Sequence, residues 1–221
     1  MESERIGGDE AAFGRAIDWV LGALLGITGI LSALGGAALY YGLNRADVAE
    51  AIRESEFESE VLTEAEAIDA LVALGHWSGI GLGLTGLGVL LLGAAVVVVH
   101  GRARSAGRGT PGWILGVAGA TVEAVLSFIP LSPILGGAAA GYLQRDADAN
   151  GIGVGAYAGL FACAPALVVA VFAGIGLLLG VPGSVAVAVG TALAVAVVGV
   201  LVYFIGLSAL GGYVGSRFRD R

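Results

Sequence analysis

The sequence contains no lysine, one cysteine and five prolines, and only 13% of its 221 residues are charged. A soluble domain carries nearer a quarter charged residues, so the composition excludes an ordinary soluble protein. The single cysteine, Cys163, excludes an internal disulfide framework. Glycine is abundant, at 39 residues, but it has no G-X-Y period, so a collagen-like chain is also excluded.

Long apolar stretches fill most of the chain instead. Crossing the ~30 Å hydrocarbon core of a bilayer takes about 20 apolar residues, and four of the five stretches reach that length without a break. The sequence therefore predicts an all-α polytopic transmembrane helical bundle in a lipid bilayer, with four full spans and a fifth, proline-broken segment. The stretches run over Val20–Leu43, His76–Val99, Trp113–Leu143, Ile152–Leu179 and Ser184–Leu207.

The charges are unevenly distributed. All eleven cationic residues are arginine, against eighteen carboxylates, which fits a surface that faces very high salt; a GC-rich genome alone would give the same bias. Residues 45–69 hold nine acids and two arginines, a balance of −7. Such a segment attracts monovalent cations and repels nucleic acid, so no nucleic-acid partner is expected.

Arginine clusters orient the chain. One cluster, Arg102, Arg104 and Arg108, follows the second span, and another closes the sequence. Because arginines in short loops mark the cytoplasmic side, we expect both termini on the cytoplasmic side of the cell membrane and the acidic segment on the extracellular side. The predicted parts are a polar acidic tail, 1–15; an N-terminal transmembrane hairpin, 16–100, with its acidic segment, 44–75; an Arg-rich loop, 101–112; a glycine-rich membrane domain, 113–215; and an Arg-rich tail, 216–221.

Two local patterns predict helices in the acidic segment. Val48 and Ile52 lie four residues apart within Ala46–Glu54, which is the spacing of one helix face. Thr63 and Glu66 have the pattern of a capping box, which predicts a helix that begins just after Thr63 and continues into the second span. The alternative is a solvated acidic loop.

Pro130 and Pro133 interrupt the third apolar stretch at 128–133, because each proline removes an amide donor and disturbs the preceding turn. Both arginine clusters lie inside only if 113–143 enters and leaves on the same face of the membrane. A re-entrant hairpin is therefore the preferred interpretation. The alternative is one kinked span, which would place the C-terminal arginines outside.

Glycines recur four residues apart in the apolar stretches, a spacing that lets membrane helices approach closely. They predict helix packing within the chain. The same faces leave open a homo-oligomer or another membrane protein as partner. The most prominent series are Gly137/Gly141 and Gly151/Gly155/Gly159.

Glu123 is the only ionisable residue deep within an apolar stretch. A carboxylate at mid-bilayer is costly, so such groups face the bundle interior and often serve an ion or proton site. The functional interpretation is a coupling carboxylate beside the proline break. The alternative is a protonated glutamic acid whose hydrogen bond to a hydroxyl or an open carbonyl stabilises the fold.

The sequence contains no other group of residues with the pattern of a catalytic, metal-binding or cofactor-binding site. Residues 146–151 match the opening of a calcium loop, but Tyr157 occupies the twelfth position, where a bidentate carboxylate is required. No Ser-His-Asp set, Cys-His pair, zinc-protease motif or phosphate-binding loop occurs. We therefore expect no catalytic residue, no metal site and no cofactor, and we do not expect an enzyme.

One part of the chain resembles a known family. Residues 130–142 read P-x-x-P-x-x-G-G-x-x-x-G-Y, and residues 151–159 read G-x-x-x-G-x-x-x-G. Over 113–215 this pattern is similar to a family of small haloarchaeal membrane proteins whose domain has no known function. The resemblance implies a helical membrane architecture and a high-salt habitat, and it implies no activity.

Two functions are compatible with these observations. The leading hypothesis is a non-enzymatic structural, accessory or interaction protein, because packing motifs are frequent and no chemical constellation is present. The alternative is a small ion- or proton-coupled transporter or channel that uses Glu123 and the segment 128–133. A cavity that reaches Glu123 would favour the transporter, and dry packing would favour the structural protein.

Overall fold

The computed structural model describes residues 2–55, 59, 61–144 and 150–219, which form seven α-helices and no strand. Four of the helices, α1, α3, α6 and α7, are long and apolar enough to cross a membrane. The prediction of an all-α membrane fold with four spanning helices and a divided fifth segment is confirmed. The helices are α1 (Glu2–Gly42), α2 (Arg45–Glu54), α3 (Glu64–Ser105), α4 (Gly112–Val125), α5 (Ser132–Leu143), α6 (Ile152–Gly180) and α7 (Gly183–Arg219).

Several helix boundaries differ from those expected. The break in the third stretch lies at 126–131, between α4 with 14 residues and α5 with 12. Pro130 lies in this break, whereas Pro133 lies in the first turn of α5, where its missing amide would have had no helical partner. α7 continues twelve residues past Leu207, the end of its apolar run, to Arg219.

The chain divides into two compact units, and helices α1, α3, α6 and α7 contribute to both. The first unit comprises Met1–Thr28, Val89–Cys163 and Leu201–Arg221. The second comprises Gly29–Gly88 and Ala164–Val200. The acidic segment belongs to the second unit, and Glu123 and the packing glycines belong to the first.

In the second unit, α2 packs on the first turns of α3. Val48 and Ile52 on α2 are buried with Ala67 and Ile68 on α3, so the predicted apolar face of α2 is confirmed. Within the described part of the acidic segment, α2 and the start of α3 are therefore packed together. Two ion pairs join the same helices: Arg45–Asp69 and Arg53–Glu64.

A capping box starts α3. The Thr63 amide donates to Oε2 of Glu66 at 2.8 Å, and the Glu66 amide donates to Oγ1 of Thr63 at 3.3 Å. Each side chain thus satisfies an amide that has no partner within the helix. The predicted start of this helix, immediately after Thr63, is confirmed.

In the first unit, α4 and α5 pack against each other in antiparallel directions. The side chain of Glu123 lies against Gly136, and Gly119 lies against Ala140. Both ends of 112–143 therefore lie at the same end of the pair, which is a hairpin and not one kinked helix. Its re-entrant position in a bilayer stays a prediction.

Candidate carboxylate site

Most backbone N–H and C=O groups in the turn between α4 and α5 form hydrogen bonds. The amides of Ser127, Ile129 and Ser132 donate to the carbonyls three residues earlier, at 3.3, 2.8 and 2.9 Å. The carbonyl oxygen of Pro130 accepts a hydrogen bond from the Tyr203 hydroxyl on α7. The proline break is therefore a compact turn bonded to α7, with most of its backbone polar groups paired.

Glu123 lies in the last turn of α4, next to this break, and is only 2% exposed. Its side chain passes directly over α5 at Gly136, where a β-carbon would overlap the Glu123 Cγ. The Ser208 hydroxyl on α7 lies 2.5 Å from Oε1 of Glu123. The carboxyl group is thus enclosed where α4, α5 and α7 meet.

Ser208 joins these three helices through a single hydroxyl. Its Oγ lies 2.5 Å from Oε1 of Glu123 and 3.0 Å from the carbonyl oxygen of Pro133. A serine hydroxyl carries one proton, so it donates to only one of these acceptors at a time. The Ser208 side chain is fully buried, so both acceptors compete for that proton.

The protonation state of Glu123 decides which bond Ser208 makes. When a neutral carboxyl group carries its proton on Oε1, that Oε1–H donates to the Ser208 hydroxyl, and Ser208 then donates to the Pro133 carbonyl. When the group is ionised, Ser208 donates to the carboxylate, and the Pro133 carbonyl loses this hydrogen bond. A proton on Oε1 therefore directs the Ser208 hydroxyl to the Pro133 carbonyl on α5, and its loss directs the same hydroxyl to Glu123 on α4.

The second oxygen of Glu123 is buried and has no hydrogen-bond partner among the described residues. An unpartnered buried polar group costs about 1–3 kcal/mol, and more if it is charged. Glu123 also lines a cavity of about 300 Å³ beside the α4–α5 turn. The other polar side chains in its wall are Ser127, Ser132 and Tyr203.

The rest of the cavity wall is apolar. Ile129 and Pro130 contribute from the turn, and Phe204 contributes from α7. The rings of Tyr203 and Phe204 meet edge to face, with centroids 5.4 Å apart. The cavity therefore combines one carboxyl group with a few hydroxyls and a largely apolar, partly aromatic wall.

The two packing glycines predicted on α5 lie directly against α7. A β-carbon at Gly137 would overlap the carbonyl oxygen of Ser208, and one at Gly141 would overlap that of Gly212. The two helices run in the same direction here, with their backbones in contact. Glycine at these positions allows Ser208 to come close enough to bond with Pro133 and Glu123.

The three glycines predicted on α6 also lie against α7. A β-carbon at Gly155 would overlap the Ser208 carbonyl, and one at Gly159 would overlap the Phe204 carbonyl. Gly151 precedes α6 with φ +72°, in the left-handed region where glycine is unstrained. In the first unit, α7 is therefore in backbone contact with α5 on one side and with α6 on another.

Ser208 and Tyr203 were not identified from the sequence as residues of this site. The polar character of each side chain within the apolar α7 was the only available signal. Nothing in their spacing relates them to Glu123, from which Ser208 is separated by 85 positions.

The other motifs of the sequence form no site in the described part of the chain. Cys163 is a buried free thiol. Residues 146–149 of the calcium-loop match lie outside the described residues. Within 2–55, 59, 61–144 and 150–219, no group of three His, Cys, Asp or Glu side chains could hold a metal ion.

Four helices that are long and apolar enough to cross a bilayer are typical of a multi-helix membrane protein. Residues 113–218, slightly less than half of the chain, contain a DUF5518 domain, which is described as a family of unknown function. The expected similarity to a family without known function is therefore confirmed over this part, which contains the whole carboxylate site. No curated protein and no solved structure matches the chain.

Proposed function

We propose that the protein is a non-enzymatic, multi-pass protein of the cell membrane whose domain 113–218 binds and moves a proton or a monovalent cation at Glu123. The observation that supports this is the buried carboxyl group, with one unpartnered oxygen, in the wall of a cavity of about 300 Å³. Ionisable groups inside membrane bundles are costly and commonly serve ion or proton pathways. A cavity at such a group favours transport over dry packing.

The hydrogen bonds of Ser208 support a proton-linked mechanism. Loading Glu123 with a proton lets Ser208 bond to Pro133 on α5, and unloading turns the same hydroxyl towards α4. Each step changes a contact between α7 and the α4–α5 hairpin. The occupancy of the site is thereby linked to helix packing, as alternating exposure of a transport site requires.

A structural, accessory or interaction protein is the second candidate. The direct backbone contacts of α7 with Gly137 and Gly155 favour it, since such packing serves rigidity without any transported ion. On this hypothesis Glu123 is a neutral hydrogen-bonded group that holds α4 to α7. A homo-oligomer or a second membrane protein would then be the partner.

Flux measurements in proteoliposomes separate the two functions. The purified protein is reconstituted with an internal pH-sensitive dye, and proton flux is measured under an imposed K⁺ or Na⁺ gradient. We expect a flux that Glu123→Gln abolishes and that Glu50→Gln, at an exposed carboxylate on α2, leaves unchanged. A wild-type protein without flux, or a flux unaffected by Glu123→Gln, would refute transport and favour the structural function.

The proposed orientation places both termini in the cytoplasm and the segment 44–75 outside the cell membrane. Single cysteines at Ser59 and Arg217, both exposed, test it in a Cys163→Ala background. An impermeant maleimide added to intact cells should label Ser59→Cys and should not label Arg217→Cys. Labelling of both positions from one side would contradict the re-entrant hairpin.

We also propose a high-salt, haloarchaeal habitat for the protein. The balance of −7 over 45–69 and the absence of lysine support it. Monovalent cations would neutralise the repulsion between the carboxylates of α2 and α3. The thermal midpoint in detergent should therefore rise from low to molar KCl, and a midpoint that does not depend on salt would contradict this habitat.

A further inference from the structure

We propose that the cavity beside Glu123 takes an organic ammonium ion with apolar substituents, which displaces the proton of the carboxyl group. This proposal rests on the proposed function, because it names the substrate class of the same site. Binding is balanced in charge: the ammonium ion enters, the Oε–H bond of Glu123 breaks, and the proton leaves to water. The site is electroneutral before and after the exchange.

The charge of the site requires a single positive ligand. Glu123 is the only carboxyl group on α4, and α5 carries only Tyr142 as a titratable group. On the parts of α6 and α7 that pack in the first unit, the described titratable side chains are Tyr157, Cys163, Tyr203, Tyr213 and Arg217. Arg217 is about two and a half helical turns beyond Ser208, so none of the described cations on these four helices lies beside the carboxyl group.

The wall of the cavity suits an apolar cation better than a bare metal ion. Transferring a hydrated ion to an apolar wall is costly unless many oxygens replace its water. Here Glu123 is accompanied by only three hydroxyl side chains, and the Tyr203 hydroxyl already donates to Pro130. A volume of about 300 Å³ lies at the lower end of the range for small-molecule sites.

The aromatic rings supply a second attraction for such a cation. Tyr203 and Phe204 both line the cavity with Glu123. An ammonium group within reach of an aromatic face is attracted by the ring, and more strongly where water is excluded. A carboxyl group combined with aromatic and aliphatic walls is therefore selective for charge and for apolar substituents together.

Calorimetry with benzyltrimethylammonium tests the proposal on the full chain in detergent. Titrations in two buffers of different ionisation enthalpy give the number of protons released. We expect one proton per bound cation at a pH where Glu123 is neutral, and an affinity that rises with pH until the group is ionised. The neutral isostere neopentylbenzene has the same shape without charge and should not compete.

Variants at the carboxyl group and the ring identify the binding residues. Glu123→Gln should weaken binding at least tenfold and abolish proton release. Tyr203→Leu, which removes the ring, should weaken binding roughly tenfold. Tyr203→Phe keeps the ring and should retain most of the affinity, which separates the ring from its hydroxyl.

The outcomes distinguish this proposal from the proposed function. If wild-type protein does not bind the cation, binds it without proton release, or binds neopentylbenzene equally, the proposal is overturned. A proton flux that still depends on Glu123 would in that case leave the proposed function intact. If Glu123→Gln does not fold, the comparison of the cation with its isostere and the proton count on wild-type protein decide.

Discussion

Replacing Gly155 by alanine should destabilise the protein, whereas the same change at Gly153 should not. Both residues lie in α6, two positions apart. A β-carbon at Gly155 would overlap the Ser208 carbonyl oxygen and lie 2.9 Å from Cα of Gly212, so the backbone of α7 would have to move. A β-carbon at Gly153 would meet nothing within 4 Å.

The expected magnitude follows from two opposing effects. Alanine in place of glycine favours a helix by up to about 1 kcal/mol, and this gain applies to both positions, which lie close together near the start of α6. Overpacking a close contact costs about 1–3 kcal/mol, and this cost applies only to Gly155→Ala. The difference between the two variants therefore removes the propensity term and should be about 1–3 kcal/mol in the free energy of unfolding.

Unfolding by SDS in mixed micelles measures this difference. The three tryptophans of the chain report the transition by fluorescence, and both variants are compared at the same lipid and detergent ratio. Equal free energies of unfolding for Gly153→Ala and Gly155→Ala would refute the backbone contact between α6 and α7. A fully unfolded Gly155→Ala variant would mean that α7 cannot shift to make room for a β-carbon. Gly155→Ser, with a larger side chain, should then be destabilised at least as strongly.

Three further predictions concern single side chains. Glu123→Ala should lower the free energy of unfolding about 1–3 kcal/mol more than Glu123→Gln, because only glutamine keeps a hydrogen bond to Ser208; equal losses would argue against that bond. Hydrogen bonds from the amide and hydroxyl of Thr63 hold the pKa of Glu66 below the ordinary value of a glutamate. The stabilisation from this capping box is therefore fully present above the ordinary pKa of a glutamate and is lost as pH falls through the lowered pKa of Glu66. Thr63→Ala should raise that pKa in an NMR titration, and no change would contradict the capping box. Cys163, at 1% exposure, should react with maleimide only after unfolding in SDS, and labelling as fast as at Ser59→Cys would place it at the surface.

The spans and the capping box could be predicted because they depend on local patterns. Long apolar runs determine which segments leave water, and the Thr63–Glu66 spacing determines where α3 begins. The division into α4 and α5 could also be predicted, since a proline affects its own turn. Its boundary was shifted by two residues, because Pro133 is compatible with the first turn of a helix.

The carboxylate site could be predicted only in part. Glu123 was recognisable as an isolated charge in an apolar stretch, but its partner Ser208 lies on a helix that comes 85 positions later. The apolar run ends before Ser208, so the pattern gave no reason to continue α7 through this residue. Tertiary packing extends the helix, because the small residues beyond Leu207 contact α5 and α6.

The packing glycines and the carboxylate site depend on each other. Gly137 on α5 and Gly155 on α6 both contact the Ser208 carbonyl, so the backbone of α7 is fixed at the residue that bonds Glu123. A side chain at either glycine would move Ser208 away from both Glu123 and Pro133. The same glycine contacts that favour a structural protein therefore also position the hydroxyl on which the proposed proton exchange depends. Gly137→Ala should accordingly reduce flux as well as stability, whereas a purely structural protein would show only the loss of stability.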